Sequence, residues 1–426
     1  MNPGTFLLQE LIDKFIDDLW FERDTDALKT LSQTSRLFLH RCRRHLFAHI
    51  HLSSGTSTGQ SQRIARKAKN LDEILVKVPE IANYIQKMFF TVSNFNNAEV
   101  HIVSQLLLRF SMINKLSLSG PCDWALVAPE LQSVISRLAS SPRMKTFSLW
   151  SIHNFPVSFF AWCTNLIDLS IDSCVLEDHA PLGNAETGFI ARLHSLTLSG
   201  TSVGLEKLIC DTSGQDGSQI LDFSHLQELT ADLPNQGALP PLREILKRAT
   251  KLISLVLNLG MQLNVRLLCF SRSGFMCYLL VDEELSLNGV FQPSSSFKSL
   301  RCLWLRLSIY NIEPEDPLFG LCHELRRIEK SNSLEEILIK VSSFLRLQQD
   351  FLADLNDVLT LPGYTKLRCL HLEIILRFGT IEEYDRVEES RQELNNAAQQ
   401  LFNRPSLKFS YLVAVKGIDD DDDIFG

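Results

Sequence analysis

Residues Leu166–Leu176 read LIDLSIDSCVL, with apolar side chains at Leu166, Leu169 and Ile171, that is at i, i+3 and i+5. In an extended chain successive side chains alternate between faces, so the last two of these share one side. The same triplet stands at Ile113/Leu116/Leu118, Met144/Phe147/Leu149, Leu193/Leu196/Leu198, Leu252/Leu255/Leu257, Phe275/Tyr278/Leu280, Leu300/Leu303/Leu305, Leu334/Ile337/Ile339 and Leu367/Leu370/Leu372. A weaker copy has Leu226, Leu229 and Ala231. Successive copies start 31, 22, 27, 33, 26, 23, 25, 34 and 33 residues apart. One short strand cannot shield such a side from water, whereas strands stacked in parallel can.

These spacings are close to, or somewhat above, the roughly 20 to 29 residues of leucine-rich repeats. The copy at Leu166 continues with Cys174 and Leu176, where that repeat places Asn or Cys and then an apolar residue. The expected fold is therefore α/β, a curved solenoid with parallel strands over residues 113–380, with helical returns near Pro129–Leu138, Pro241–Arg248 and Phe351–Leu359. Residues 63–112 read as a helical cap, broken where Pro79 disfavours helix at Val78, followed by an atypical first strand with Ile85, Met88 and Phe90. A helix over Glu382–Phe402 and a strand over Leu407–Val415 close the array at 381–417, and 418–426 is an acidic tail.

Ahead of the repeats, residues 1–52 read as three helices. Leu7, Leu11, Phe15 and Leu19 recur every four positions with Leu8, Ile12 and Ile16 beside them. Asp26 can cap a second helix bearing Leu28 and Leu31, and a third segment holds Leu37, Phe38, Leu39, Leu46 and Phe47. About 50 residues is a small unit to stand alone. The stretch SSGTSTGQSQ at 53–62 reads as a flexible linker.

LLQELID at Leu7–Asp13, followed by DTDALKTLSQTSRLFLHRCRRHLF at Asp24–Phe47, resembles the helix set that opens fungal F-box-like proteins with divergent leucine-rich repeats. PEIANYIQKMFF at Pro79–Phe90 is similar to the cap of such proteins, and the closing helix and strand also fit. Leu8 stands where that family commonly has Pro, and Phe38 where it has Trp. The resemblance implies a non-catalytic substrate receptor of a cullin-RING (SCF-type) ubiquitin ligase. Its helices would dock on a Skp-family adaptor, and through it on the cullin scaffold, while the repeat surface holds an unknown protein substrate. The docking candidates it implies are Leu7, Leu11, Ile12, Phe15, Ile16, Leu28, Leu31 and Phe38. The alternative is a stand-alone interaction module whose first helices are only an end cap.

Composition narrows the classes. The 45% of hydrophobic and 22% of charged residues suit a folded chain, and the net charge of -8 gives no general reason to bind nucleic acid or anionic membrane. Ten cysteines lie far apart without a CxxC pair, the pattern of buried thiols in an intracellular, cytoplasmic or nuclear chain. Glu10, Asp13, Asp17 and Asp18 are foreign to a secretory signal. The uncharged stretch Thr146–Ile167 contains His153, Asn154, Pro156 and Asn165, which a spanning helix would leave unpartnered. No cofactor or metal is expected. Gly55–Gly59, GTSTG, matches a hydrolase nucleophile elbow but sits in the linker, away from the strand and helix that motif needs. The basic group His40, Arg41, Arg43, Arg44 and His45 reads as a solvated helix face, and the carboxylates of Glu382–Glu389 as an exposed one.

Between the apolar positions of each triplet lies one outward residue: Ser117, Ser148, Ser170, Thr197, Thr230, Val256, Leu279, Trp304, Leu338 and His371. Hydroxyls give way to bulky apolar groups, and a contiguous apolar patch is a binding signature. Leu279, Trp304 and Leu338, with Arg306 beside the Trp, are the substrate-binding candidates, Trp and Arg being enriched at interface hot spots.

Overall fold

The computed structural model describes residues 3–53, 59–177, 190–200, 202–209, 220–260, 286–287, 289–291, 295–309, 318, 320–343, 347, 349–378, 381–401 and 407–417. The chain divides into two compact units, Met1–Ala191 and Arg192–Gly426.

The first unit opens with three helices, α1 (Pro3–Phe21), α2 (Thr25–Thr34) and α3 (Arg36–Leu46). Short polar side chains separate them. The Asp24 carboxylate accepts the Ala27 N–H and the Ser35 hydroxyl accepts that of Leu37, each satisfying a donor that a helix start leaves open. Ile16, Leu28 and Cys42, one from each helix, are fully buried, with Ile12, Leu19, Trp20, Leu31, Phe38 and Leu46 packed around them.

Strands and helices then alternate: β1 (His49–Leu52), α4 (Gln60–Lys77), β2 (Lys87–Thr91), α5 (Asn97–Leu108), β3 (Lys115–Asp123), α6 (Pro129–Ala139), β4 (Thr146–His153) and β5 (Asp168–Asp172). Helix α4 stops at Lys77 because Val78, which precedes Pro79, takes φ -137° and ψ 77°, outside the helical region. All four strand pairings are parallel. The sheet begins one strand earlier than the sequence suggests: β1 lies inside the segment read as helical and pairs residue for residue with β2.

The second unit contains β6 (Ser195–Ser199), α7 (Glu206–Ile209), β7 (Glu228–Leu233), α8 (Leu239–Arg248), β8 (Ser254–Gly260), β9 (Cys302–Ile309), α9 (Leu321–Ile328), β10 (Glu336–Ser343), α10 (Asp350–Leu359), β11 (Cys369–Phe378), α11 (Ile381–Leu401) and β12 (Lys408–Gly417). These seven strands also form one parallel ladder, in the order of the chain.

The triplets stand in register. In the first unit Met88, Leu116, Phe147 and Leu169 form one row and Phe90, Leu118, Leu149 and Ile171 the next. In the second, Leu196, Leu229, Leu255, Leu303, Ile337 and Leu370 face one another, as do Leu198, Ala231, Leu257, Leu305, Ile339 and Leu372. Every one of these side chains is buried. One hydrogen-bond figure recurs at the strand starts, where a single carbonyl accepts two successive N–H groups of the next rung. Asn114 O takes Lys145 N at 2.9 Å and Thr146 N at 3.0 Å, Arg301 O takes Glu335 N at 2.9 Å and Glu336 N at 3.0 Å, and Gln86, Lys145, His194, Gln227, Ile253 and Glu335 repeat the arrangement.

The copy at Phe275/Tyr278/Leu280 is the exception. It lies outside the described residues, and β8 pairs directly with β9, so no rung from that segment stands between them. Local periodicity marks a strand-like stretch but cannot say which stretches become neighbours.

Replacing Leu303, wholly buried between Leu255 and Ile337 in its row, by Ala should cost about 2–5 kcal/mol through lost burial and the cavity left behind. Denaturant unfolding of the full chain, followed by circular dichroism, measures this. Arg306→Ala, on the exposed side of the same strand, should stay within about 0.5 kcal/mol of the native chain.

Candidate functional site

Two surfaces carry the predicted residues. On the helical unit, Leu11 and Phe15 are 61% and 55% exposed, one helical turn apart on α1. Leu7 lies on the same helix, with its side chain outside the described residues. Ile12, Leu31 and Phe38 are half-buried against the internal core. Ile16 and Leu28 are that core, at 0% exposure, so they present nothing to a partner and the docking reading is corrected for these two. Phe21 and Leu37, exposed at 90% and 60%, were not among the candidates. Three helices with apolar residues on more than one face give no sequence signal for which side turns inward.

The basic group on α3 also divides. Arg41 grips both carboxylate oxygens of Asp17 on α1, and His45 Nε2 lies 2.7 Å from Asp17 Oδ1. The Trp20 ring stacks on His45 at 5.4 Å. These two basic residues are thus internal ties between α1 and α3 and no part of a solvated face. Of the rest, His40 and Arg44 are exposed, His40 lying edge-on to Tyr84 at 5.3 Å. The Arg41 hydrogen bond outweighs the cost of burial and holds the Asp17 carboxyl below its ordinary 3.8.

On the second unit the outward residues line up as Thr197, Thr230, Val256, Trp304, Leu338, His371 and Ser410, all half-buried. Trp304 and Leu338 are therefore neighbours, with Val256 on the other side of the Trp. Leu279 lies outside the described residues. Two positions along the same face runs a polar row, Asp232, Asn258, Arg306, Lys340 and Glu373. Asn258 Nδ2 donates to Asp232 Oδ1 at 2.6 Å, and Lys340 pairs with Glu373 at 3.0 Å. Arg306, between these pairs, is exposed and forms no ion pair among the described residues. The Trp304 Nε1–H is buried without an acceptor among the described residues. The combination is an apolar centre flanked by one uncommitted guanidinium, which suits a protein side chain, and at the far end of the row His371 Nδ1 and Ser410 Oγ share a 2.8 Å hydrogen bond.

Among the described residues, no group of three His, Cys, Asp or Glu side chains is placed to hold a metal ion, and no helix is long and apolar enough to cross a membrane. Ser57 of the GTSTG stretch lies outside the described residues. Glu388 on α11 is bound to Arg391. Burial raises the Cys163 thiol to about 12 and the Cys122 thiol to about 11, which suppresses the reactive thiolate. The first unit has an outward row too, and it opens with His51 and Phe89, two strands ahead of the Ser117 at which the sequence pattern starts.

No family model matches the chain, and no curated protein matches it. Among solved structures, an internalin (inlF) from Listeria monocytogenes str. 4b F2365 aligns at a TM-score of 0.34 and 14% identity, covering 82% of this chain and 75% of that one.

Because its carboxyl titrates lower folded than unfolded, Asp17 supports the helical unit at every pH above its ordinary value, and that support disappears as pH falls through the lowered one. Asp17→Asn should therefore melt below the native chain at neutral pH, with the two thermal midpoints converging as the pH is taken below 3.8.

Proposed function

We propose that this chain is a non-catalytic protein-interaction subunit whose parallel rungs belong to an irregular leucine-rich-repeat array. The register of the buried triplets supports the array, since rungs in line present an equally ordered set of residues on their other face. The half-buried apolar row Val256–Trp304–Leu338 with exposed Arg306 carries the binding reading. Aromatic and apolar side chains beside an unpaired Arg are the composition of an interface centre.

The finer reading is a substrate receptor of a cullin-RING ubiquitin ligase acting inside the cell. In it α1 presents Leu11 and Phe15 to a Skp-family adaptor while the second unit's strand face holds the protein to be modified. Such a subunit supplies proximity: tethering raises the effective concentration of the substrate at an enzyme carried by another chain. Two large apolar side chains held in water on one helix support docking there. The alternative, an interaction module that keeps the helices only as a cap, is favoured by the complete internal burial of Ile16 and Leu28.

Capture of the full chain on an immobilised Skp-family adaptor separates the two. The receptor reading expects retention that is lost in Leu11→Asp combined with Phe15→Asp, with helix content and melting unchanged because both side chains already face solvent. No retention of the native chain leaves the cap reading. For the strand face, Trp304→Ala should abolish co-purification of the protein partner that the native chain brings down.

A further inference from the structure

The first unit carries its own outward rows, and these differ in chemistry from those of the second. His49, Lys87 and Lys115 stand in register across β1, β2 and β3. Both lysines are exposed, and neither forms an ion pair or a side-chain hydrogen bond among the described residues. Lys145, at the mouth of β4, is exposed and equally unpaired. Adjacent strands lie only about 4.8 Å apart, so like charges here stand side by side and work against the sheet. Burial first, then Lys87, His51 and Lys115, lowers the proton affinity of His49, as a locally positive field does. The bias extends beyond the row: residues 35–115 contain twelve Lys and Arg against four Asp and Glu, in a chain of net charge -8.

Two residues further along the same face lies an aromatic chain. His51 stacks on Phe89 at 5.7 Å, and Phe89 meets the edge of Trp150 at 5.7 Å. That contact spans β3, which is possible because its residues there are small: Ser117 is buried, and Ser119 shares a 3.2 Å hydrogen bond with Thr91. Trp150 remains 46% exposed. Two lysines without counter-ions among the described residues thus border a hydroxyl-floored aromatic strip, and the fold gains nothing from their charges.

We propose that this face binds an acidic segment of a partner polypeptide, its carboxylates on Lys87 and Lys115 and an aromatic or bulky apolar side chain on Phe89 and Trp150. In an extended peptide, side chains on one side recur at about 6.5–7 Å, a separation that two flexible lysines on neighbouring strands can span. A nucleic-acid backbone fits less well, because it needs cations to continue along its length, whereas the next strand brings Asp168 and Asp172. The site rests on the reading of the strand faces as interaction surfaces, but not on adaptor docking or on the Trp304 row.

The test uses the full chain and a fluorescein-labelled Asp/Glu-rich peptide with one central Phe, read by anisotropy. The native chain should bind it, more weakly as salt is raised. Lys87→Glu combined with Lys115→Glu should weaken binding about tenfold or more, as should the milder Lys87→Gln with Lys115→Gln. Trp150→Ala should weaken the Phe peptide severalfold and leave its Gly-substituted counterpart unchanged. Melting curves confirm that each variant is folded. Absence of binding by the native chain, equal binding by the lysine variants, or tighter binding of a single-stranded oligonucleotide of equal charge would each overturn the proposal. Loss of adaptor capture with this titration intact would overturn only the receptor reading.

Discussion

A strand whose apolar residues fall at i+3 and i+5 has one side that water must not reach, and it cannot cover that side itself. Only neighbours with the same residues at the same height close the surface, so the register of the parallel ladder is the constraint on which the rest depends. A slip of one residue would turn Leu303 and Leu305 outward and bring Trp304 and Arg306 under the helices. The recurring carbonyl that accepts two successive N–H groups guards against this at the start of each rung, because it ties the first hydrogen bonds of a strand to one fixed residue of the strand before it.

The helical unit solves a different problem. Among the described residues its fully buried core is one side chain from each helix, Ile16, Leu28 and Cys42, and apolar burial is supplemented by the Asp17–Arg41–His45 tie between α1 and α3, with Trp20 laid over the His. A charged tie of this kind, partly exposed on both sides, fixes an orientation and adds a modest increment of stability. The orientation keeps Leu11 and Phe15 outside, and the same helix thus supplies both a core residue and an exposed pair.

The parallel α/β fold was legible because period-two alternation repeated many times has few other solutions, and the returns at α6, α8 and α10 followed from amphipathic stretches between copies. What escaped depended on neighbours far along the chain. HIHL at β1 is too short and too polar to read as a strand, and becomes one by pairing with Lys87–Phe90. The copy at Phe275 has the pattern of a rung, yet β8 and β9 are already partners. Glu324 on α9, which no pattern in the sequence marks, is wholly buried, accepting the N–H groups of Gly289 at 2.8 Å and Phe291 at 2.6 Å and pairing with Arg327 at 3.0 Å. The docking candidates were half legible: a helix repeat marks Leu11, Phe15 and Ile16 alike, and only packing tells which one turns inward.

Since the inner rows are committed to closing the sheet, the outer rows are where one rung can differ from the next without loss of fold. The two units use that freedom differently. In the first, small hydroxyls let rings on non-adjacent strands touch and leave a line of cations unanswered. In the second, bulky groups stand side by side at Val256, Trp304 and Leu338, and the Trp304 indole N–H is buried without an acceptor among the described residues. An unsatisfied donor is a cost that a partner carrying a carbonyl can remove, which makes the most crowded point of the row also the one with most to gain from being covered.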